Sequence, residues 1–240
     1  ITLVCLHEPG NNKTSLQQSI YNNSSWTYLR VGVSRTWGTI LKAKTHRNLV
    51  IFLIAFMFYN DGIHTVIMMA TIYGKDELGL KNETLMGTLL LVQFIGIGGA
   101  LLFSKMSKSF GTKRILILVL ILWLGILCYA YIITSALDFW MLGIAVGFVL
   151  GGSQAISRSF YGAMIPVDES AEFFGFYSVF AKFSAICGPF VFGIIRQITG
   201  TSRLAILSLV GFFIIGIILL CFVKENTEPL QLGGDEKVRS

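Results

Sequence analysis

Four stretches of this chain, Leu85–Phe103, Ile115–Thr134, Phe139–Ser157 and Leu204–Val223, contain no charged residue. Each is close to the ~20 apolar residues that an α-helix needs to cross the hydrocarbon core of a bilayer. Two more, Leu49–Gly74 and Phe173–Ile195, match them but for one ion apiece, Asp61 and Lys182. The expected fold is therefore all-α, a polytopic membrane bundle of six transmembrane helices. Composition agrees, because 54% hydrophobic residues, 13% charged residues and a mean hydropathy of +0.70 exclude an ordinary water-soluble domain.

Six crossings place both flanks on one side of the membrane, and the basic residues indicate which side. Arg30, Arg35, Lys42, Lys44 and Arg47 precede the first span, and Lys105, Lys108, Lys113 and Arg114 join the second to the third. Those segments read as cytoplasmic. The opposite connections hold Lys75 and Lys81 among acids, then Asp138, then Arg196 and Arg203, so the last connection fits least well. The net charge of +6 follows from these membrane-boundary clusters and implies a lipid bilayer as partner, with no nucleic acid.

Cys5, Cys128, Cys187 and Cys221 are widely spaced and form no Cys-x-x-Cys or Cys/His pattern, so they are expected to be reduced packing residues. No metal site and no cofactor are expected. The apolar Ile1–Leu6 reads as the tail of a preceding helix, and the chain as a fragment. His7–Ser25 is a polar connection, and Trp26, Leu29, Val33, Trp37, Ile40 and Leu41 recur as in an amphipathic helix at the headgroup surface. The expected organisation is residues 1–48 as helix end, cytoplasmic loop and interfacial helix, 49–223 as the six-helix bundle, and 224–240 as a cytoplasmic tail.

An acid near the middle of a span costs about 2.5–3.5 kcal/mol on insertion scales unless it faces the bundle interior or a wet cavity. At ~100° per residue, Asn60, Asp61, His64 and Thr71 share one arc of the first span. Gln154, Ser157, Arg158 and Tyr161 form a second polar stripe at the end of the fourth. Lys182 lies deep in the fifth, and a charge pair of Asp61 with Lys182 or Arg158 would keep both ions satisfied. Asp61 with His64 is either a proton relay or a structural pair in which a neighbouring group satisfies the histidine. Asn60, Asp61, His64, Gln154, Arg158 and Lys182 are thus the candidates for a substrate cavity or coupling site.

Small residues recur every fourth position at Gly143, Gly147, Gly151, Ala155 and Ser159, a spacing that lets two membrane helices approach closely. It serves either fixed packing or a sliding contact. Gly188-Pro189 is expected to bend the fifth span, because proline removes a helix hydrogen bond. The spans also fall into two triads with the same order of character: a polar helix, a glycine-bearing helix and a purely apolar helix. Such three-plus-three repeats build the halves of carriers, with the site near mid-membrane.

Three segments carry a resemblance: FYNDGIHTVIMMATIYGKDELGL (Phe58–Leu80), GGSQAISRSFYGAMIP (Gly151–Pro166) and AEFFGFYSVFAKFSAICGPFVFG (Ala171–Gly193). In these the chain resembles the second half of the vacuole effluxer-like branch of the major facilitator superfamily. The resemblance implies a twelve-helix carrier of which this chain supplies helices seven to twelve, with the spans bearing Asn60 and Arg158 on the central cavity. It also implies a missing N-terminal six-helix half as partner and, from the fungal relatives, amino-acid release from vacuoles. One position departs from the superfamily's loop motif, since Lys108 stands where that motif has an acid.

The leading expectation is a secondary active transporter moving a small polar solute, with an amino acid as candidate and protons as a candidate coupling ion. It would sit in a bacterial inner membrane or, alternatively, a vacuolar one. The rival is a six-helix scaffold or receptor whose polar residues only knit helices together. An enzyme is not expected, because no HExxH, GxSxG or phosphate-loop pattern is present.

Overall fold

A computed structural model describes residues 47–165 and 170–224. The connection His7–Ser25, the amphipathic helix after it, Cys5 and the polar tail from Glu225 lie outside the described residues. Within them run eight α-helices: α1 (Arg47–Leu78), α2 (Asn82–Phe110), α3 (Thr112–Ile132), α4 (Ala136–Gly162), α5 (Ser170–Phe183), α6 (Cys187–Thr199), α7 (Ser202–Ser208) and α8 (Val210–Phe222). Helices α1 to α4 each cross once, α5 with α6 forms a broken fifth span, and α7 with α8 a sixth interrupted at Leu209. The all-α, six-span expectation holds.

The helices start before the charge-free stretches, because the backbone ladder continues wherever charged side chains can reach water. Connections are short, so successive spans lie antiparallel. Between α2 and α3 a single residue, Gly111, makes the turn at φ 91°, a conformation that side chains with a Cβ rarely adopt. Helix α4 opens on a capping box in which Ser135 Oγ accepts from Asp138 N–H at 3.2 Å and Asp138 Oδ2 accepts from Ser135 N–H at 3.1 Å.

Glycines set the tightest contact, that of α2 with α4. A Cβ on Gly99 would fall on the Phe148 carbonyl, one on Gly151 would fall on the Gly96 carbonyl, and one on Gly147 would stand 2.7 Å from the Val92 carbonyl oxygen. The two backbones touch directly, which is how membrane helices gain dispersion energy when no water drives them together. Gly143 joins the same seam against Thr88. Helix α1 is the most enclosed of the spans, with α8 on one side through Gly62 against Phe213 and Gly216 against Tyr59. Trp123 of α3 stacks on Phe213 at 5.6 Å, placing the apolar third and sixth spans together behind α1 and α4.

The outer surface is apolar where a bilayer demands it. Met86, Leu90, Phe94, Ile97 and Leu101 form an exposed stripe along α2. Cys128, Cys187 and Cys221 are free and also exposed, so they do not pack the core as expected. A small thiol costs little on a face solvated by lipid, and burial is not needed to shelter it.

The two arginines that fitted the charge pattern least are both paired. At the end of the bundle away from Lys105–Arg114, Arg196 of α6 bonds to Asp76 of α1. Arg203 of α7 bonds to Glu77 at 3.3 Å and to the Tyr131 carbonyl at 3.2 Å. Glu77 also accepts from Ser202 N–H at 2.5 Å, so one carboxylate caps α7 and neutralises its arginine. At the basic end Lys113 donates to the carbonyls of Cys221 (3.0 Å) and Val223 (2.6 Å), closing the last turn of α8.

Candidate functional site

Helices α1, α4 and α5 enclose a cavity of about 170 Å³. Tyr59, Asn60 and His64 face it from α1, Ser153, Gln154, Ser157 and Arg158 from α4, and Tyr177 and Ala181 from α5. Gln154 and Arg158 are exposed and His64 is half-buried, so the cavity opens along the α4 side. Four of the six residues singled out in the sequence, Asn60, His64, Gln154 and Arg158, meet here. A 2.7 Å hydrogen bond between Tyr59 and Ser157 ties α1 to α4 across its floor.

Aromatic rings close the end toward the start of α1. Phe56 stacks on Tyr177 at 4.3 Å, Tyr177 lies 4.9 Å from Tyr161, and the Tyr161 hydroxyl donates to the Phe173 carbonyl at 2.8 Å. Offset and edge-on contacts of this kind favour a fixed geometry. Tyr161, expected on the polar stripe, belongs to this packed layer rather than to the cavity. Thr71 also leaves the stripe, for an apolar groove of about 50 Å³ that α1 shares with α2 and α4.

Asp61 and Lys182 do not line the cavity. Asp61 is 3% exposed, and its Oδ2 accepts the Gly188 N–H at 2.8 Å in the first turn of α6. Among the described residues it makes no ion pair, so the expected charge pair with Lys182 or Arg158 is not formed. The reason is electrostatic. A helix N-terminus carries unbonded N–H groups and about half a unit of positive charge, enough to attract a carboxylate without a cationic side chain. Lys182 is exposed on the other side of α5.

The fifth span breaks at Ser184–Ile186, one turn before the expected bend at Gly188-Pro189. Proline clashes with the carbonyl four residues earlier and offers it no N–H, so the ladder fails ahead of Pro189. Gly188 permits the close contact with α1, since a Cβ there would strike the Thr65 hydroxyl and stand 2.9 Å from Asp61 Oδ1. Thr65 in turn donates to the Asp61 carbonyl at 2.7 Å. On the α5 side, Asn60 Nδ2 donates to Ser184 Oγ at 2.6 Å and to the Ala181 carbonyl at 3.4 Å. The neighbours Asn60 and Asp61 thus hold the two edges of the break.

Sequence reasoning missed Tyr59, Tyr177, Thr65 and Ser184. Ser184 carried a signal, a polar residue one turn before a Gly-Pro pair in an apolar span. Nothing local marks which face of α5 meets α1, so Tyr177 could not be assigned from spacing. No three His, Cys, Asp or Glu side chains converge among the described residues as a metal site would require.

A family model described as vacuole effluxer Atg22 like matches residues 2–229. The chain is 38% identical over 189 residues to the uncharacterized MFS-type transporter YxiO of Bacillus subtilis, covering 79% of this chain and 44% of that protein. It is 27% identical over 236 residues to autophagy-related protein 22-1 of Aspergillus niger, covering 90% of this chain and 38% of that one. With autophagy-related protein 22 of Yarrowia lipolytica the identity is 27% over 235 residues, or 93% and 40% of the two chains. The chain spans less than half the length of these curated relatives.

Proposed function

Since this integral, multi-pass membrane chain belongs to the vacuole effluxer Atg22-like family, we propose that it is the C-terminal half of a secondary active transporter. It moves a small polar solute, with amino acids as the leading class, by rocking against an N-terminal half of six further helices. Protons are the coupling ion. The observation that carries this reading is the cavity between α1, α4 and α5, where Asn60, His64, Gln154 and Arg158 converge near the middle of the first span. Gln154 and Arg158 are exposed and His64 half-buried at its opening, while Tyr59, Asn60 and Ser157 are held by protein partners around it, an arrangement that suits a solute site near mid-membrane. Arg158 makes no ion pair among the described residues, and its guanidinium offers a planar fork that matches a carboxylate.

Within this proposal the α2–α4 glycine seam, with Gly143, Gly147 and Gly151, is the rigid part of the half. Gly188 and Pro189, at the break in the fifth span, belong to the part that moves. The test is solute exchange by the full-length protein in sealed vesicles, with a labelled amino-acid mixture as probe. Exchange above empty vesicles, reduced about tenfold or more by Arg158→Gln at equal protein content, is expected. A full-length protein that exchanges nothing returns the scaffold reading, and exchange indifferent to Arg158 removes this cavity as the solute site.

A further inference from the structure

The two contacts that hold the break in the fifth span differ in kind. Asn60 is neutral at every pH, and its amide bridges to Ser184 and Ala181 at the end of α5. Asp61 grips the start of α6 through an acceptor whose strength depends on its charge. Its second oxygen, Oδ1, is buried and has no hydrogen-bond partner. Buried polar atoms in folded proteins are almost always bonded, so the orphaned oxygen leaves the charged form of this acid incompletely satisfied.

The surroundings show what lies beside it. Oδ1 shares its niche with Thr65 Oγ1, as both stand close to the point where a Cβ on Gly188 would lie. The Thr65 hydrogen is committed to the Asp61 carbonyl, which leaves the hydroxyl lone pairs free to accept. The Gly188 N–H bonds the carboxylate and the Cys187 N–H also lies beside it, yet Oδ1 is the oxygen left without a hydrogen bond. The positive end of α6 disfavours a metal cation there. Oδ1, with no hydrogen bond to give up, is the oxygen open to a proton, and a proton there cancels the charge that grips the start of α6.

We infer that Asp61 is a proton-operated latch on the broken fifth span. As a carboxylate it holds the start of α6 against α1. A proton from water, taken up on Oδ1, converts it to a neutral acid that holds the Gly188 N–H only weakly. The α6 edge then lets go while Asn60 keeps the α5 edge, and the span swings about Ser184–Ile186. Of the titratable groups on the elements packed around it, Tyr59, His64, Arg158 and Tyr177 line the neighbouring cavity, Lys182 is exposed on the other side of α5, and Cys187 begins α6. Helix α8 meets this part of α1 through apolar contacts, Phe213 on Gly62, Gly216 on Tyr59 and Phe212 near Phe58. The inference rests on the carrier reading for its use, but its geometry is tested without measuring transport.

The experiment places spin labels at Ser178→Cys and Gln197→Cys, exposed positions on either side of the break, in the full-length protein with other cysteines replaced. Distances between the labels are measured in liposomes at pH 8 and pH 5. The expected result is a second, altered distance population that grows several-fold at pH 5. Asp61→Asn should show that population at both pH values, and Asp61→Glu should keep the pH dependence. A pH response that survives in Asp61→Asn, or none in the parent protein, overturns the latch. If distances respond to pH while vesicles show no solute exchange, the latch stands and the carrier reading falls.

Discussion

The Asp61 carboxylate closes on the backbone N–H of Gly188 at 2.8 Å, across 127 positions of chain. An acid in the middle of a membrane span is thereby held, through one oxygen, by the end of a half-helix instead of by a basic side chain. The consequence for the candidate site is direct. Asp61 is withdrawn from the cavity, and Arg158 and His64 are left as its ionisable groups along the α1–α4 wall. A cavity with a guanidinium and, among the described residues, no carboxylate on its wall suits a solute that brings its own negative group.

Gly188→Ala should weaken the docking of α6 on α1. Its methyl would strike the Thr65 hydroxyl and crowd Asp61 Oδ1, and overpacking of this kind costs about 1–3 kcal/mol. Thermal unfolding in detergent should show a lower midpoint, partly restored by adding Thr65→Ala. A midpoint that Thr65→Ala does not raise would show that the clash lies elsewhere.

The α2–α4 seam predicts a sharp contrast between neighbouring glycines. Gly99→Ala and Gly151→Ala place a methyl on a facing carbonyl and should prevent stable insertion or lower the midpoint by many degrees. Gly98→Ala meets nothing within 4 Å and should be neutral, or stabilising by up to about 1 kcal/mol from helix propensity. Equal effects at Gly98 and Gly99 would contradict the seam.

Tyr59→Phe and Ser157→Ala each remove one partner of the 2.7 Å bond across the cavity floor. Each alone should cost about 1 kcal/mol, and the pair together little more than either single change. A double-mutant cycle on unfolding measures this coupling. Strictly additive losses would mean that the two hydroxyls do not interact.

At the opposite end, Glu77→Gln should matter more than Asp76→Asn. Glu77 caps α7 through Ser202 and pairs with Arg203 at side-chain exposures of 18% and 29%, whereas the Asp76–Arg196 pair is 37% and 43% exposed. A lost cap and half-sheltered pair amount to about 1 kcal/mol, and an exposed pair to a few tenths that salt removes. Unfolding midpoints compared at low and high salt test this order, which a larger, salt-resistant loss for Asp76→Asn would reverse.

The chain alone determined the six spans, the all-α class and the family, because hydropathy over about 20 residues is a local sum that needs no knowledge of neighbours. Helical spacing also placed Asn60 with His64, and Gln154 with Arg158, on one side of their own helices. Tertiary structure decided the rest. It turned Asp61 onto Gly188, left Lys182 on the outer face of α5, moved Tyr161 into aromatic packing and placed the break at Ser184–Ile186. Each of these depends on the rotation of one helix about its axis relative to another. That rotation is set by close packing between residues far apart in the chain, where a turn of some tens of degrees exchanges a cavity for a backbone contact.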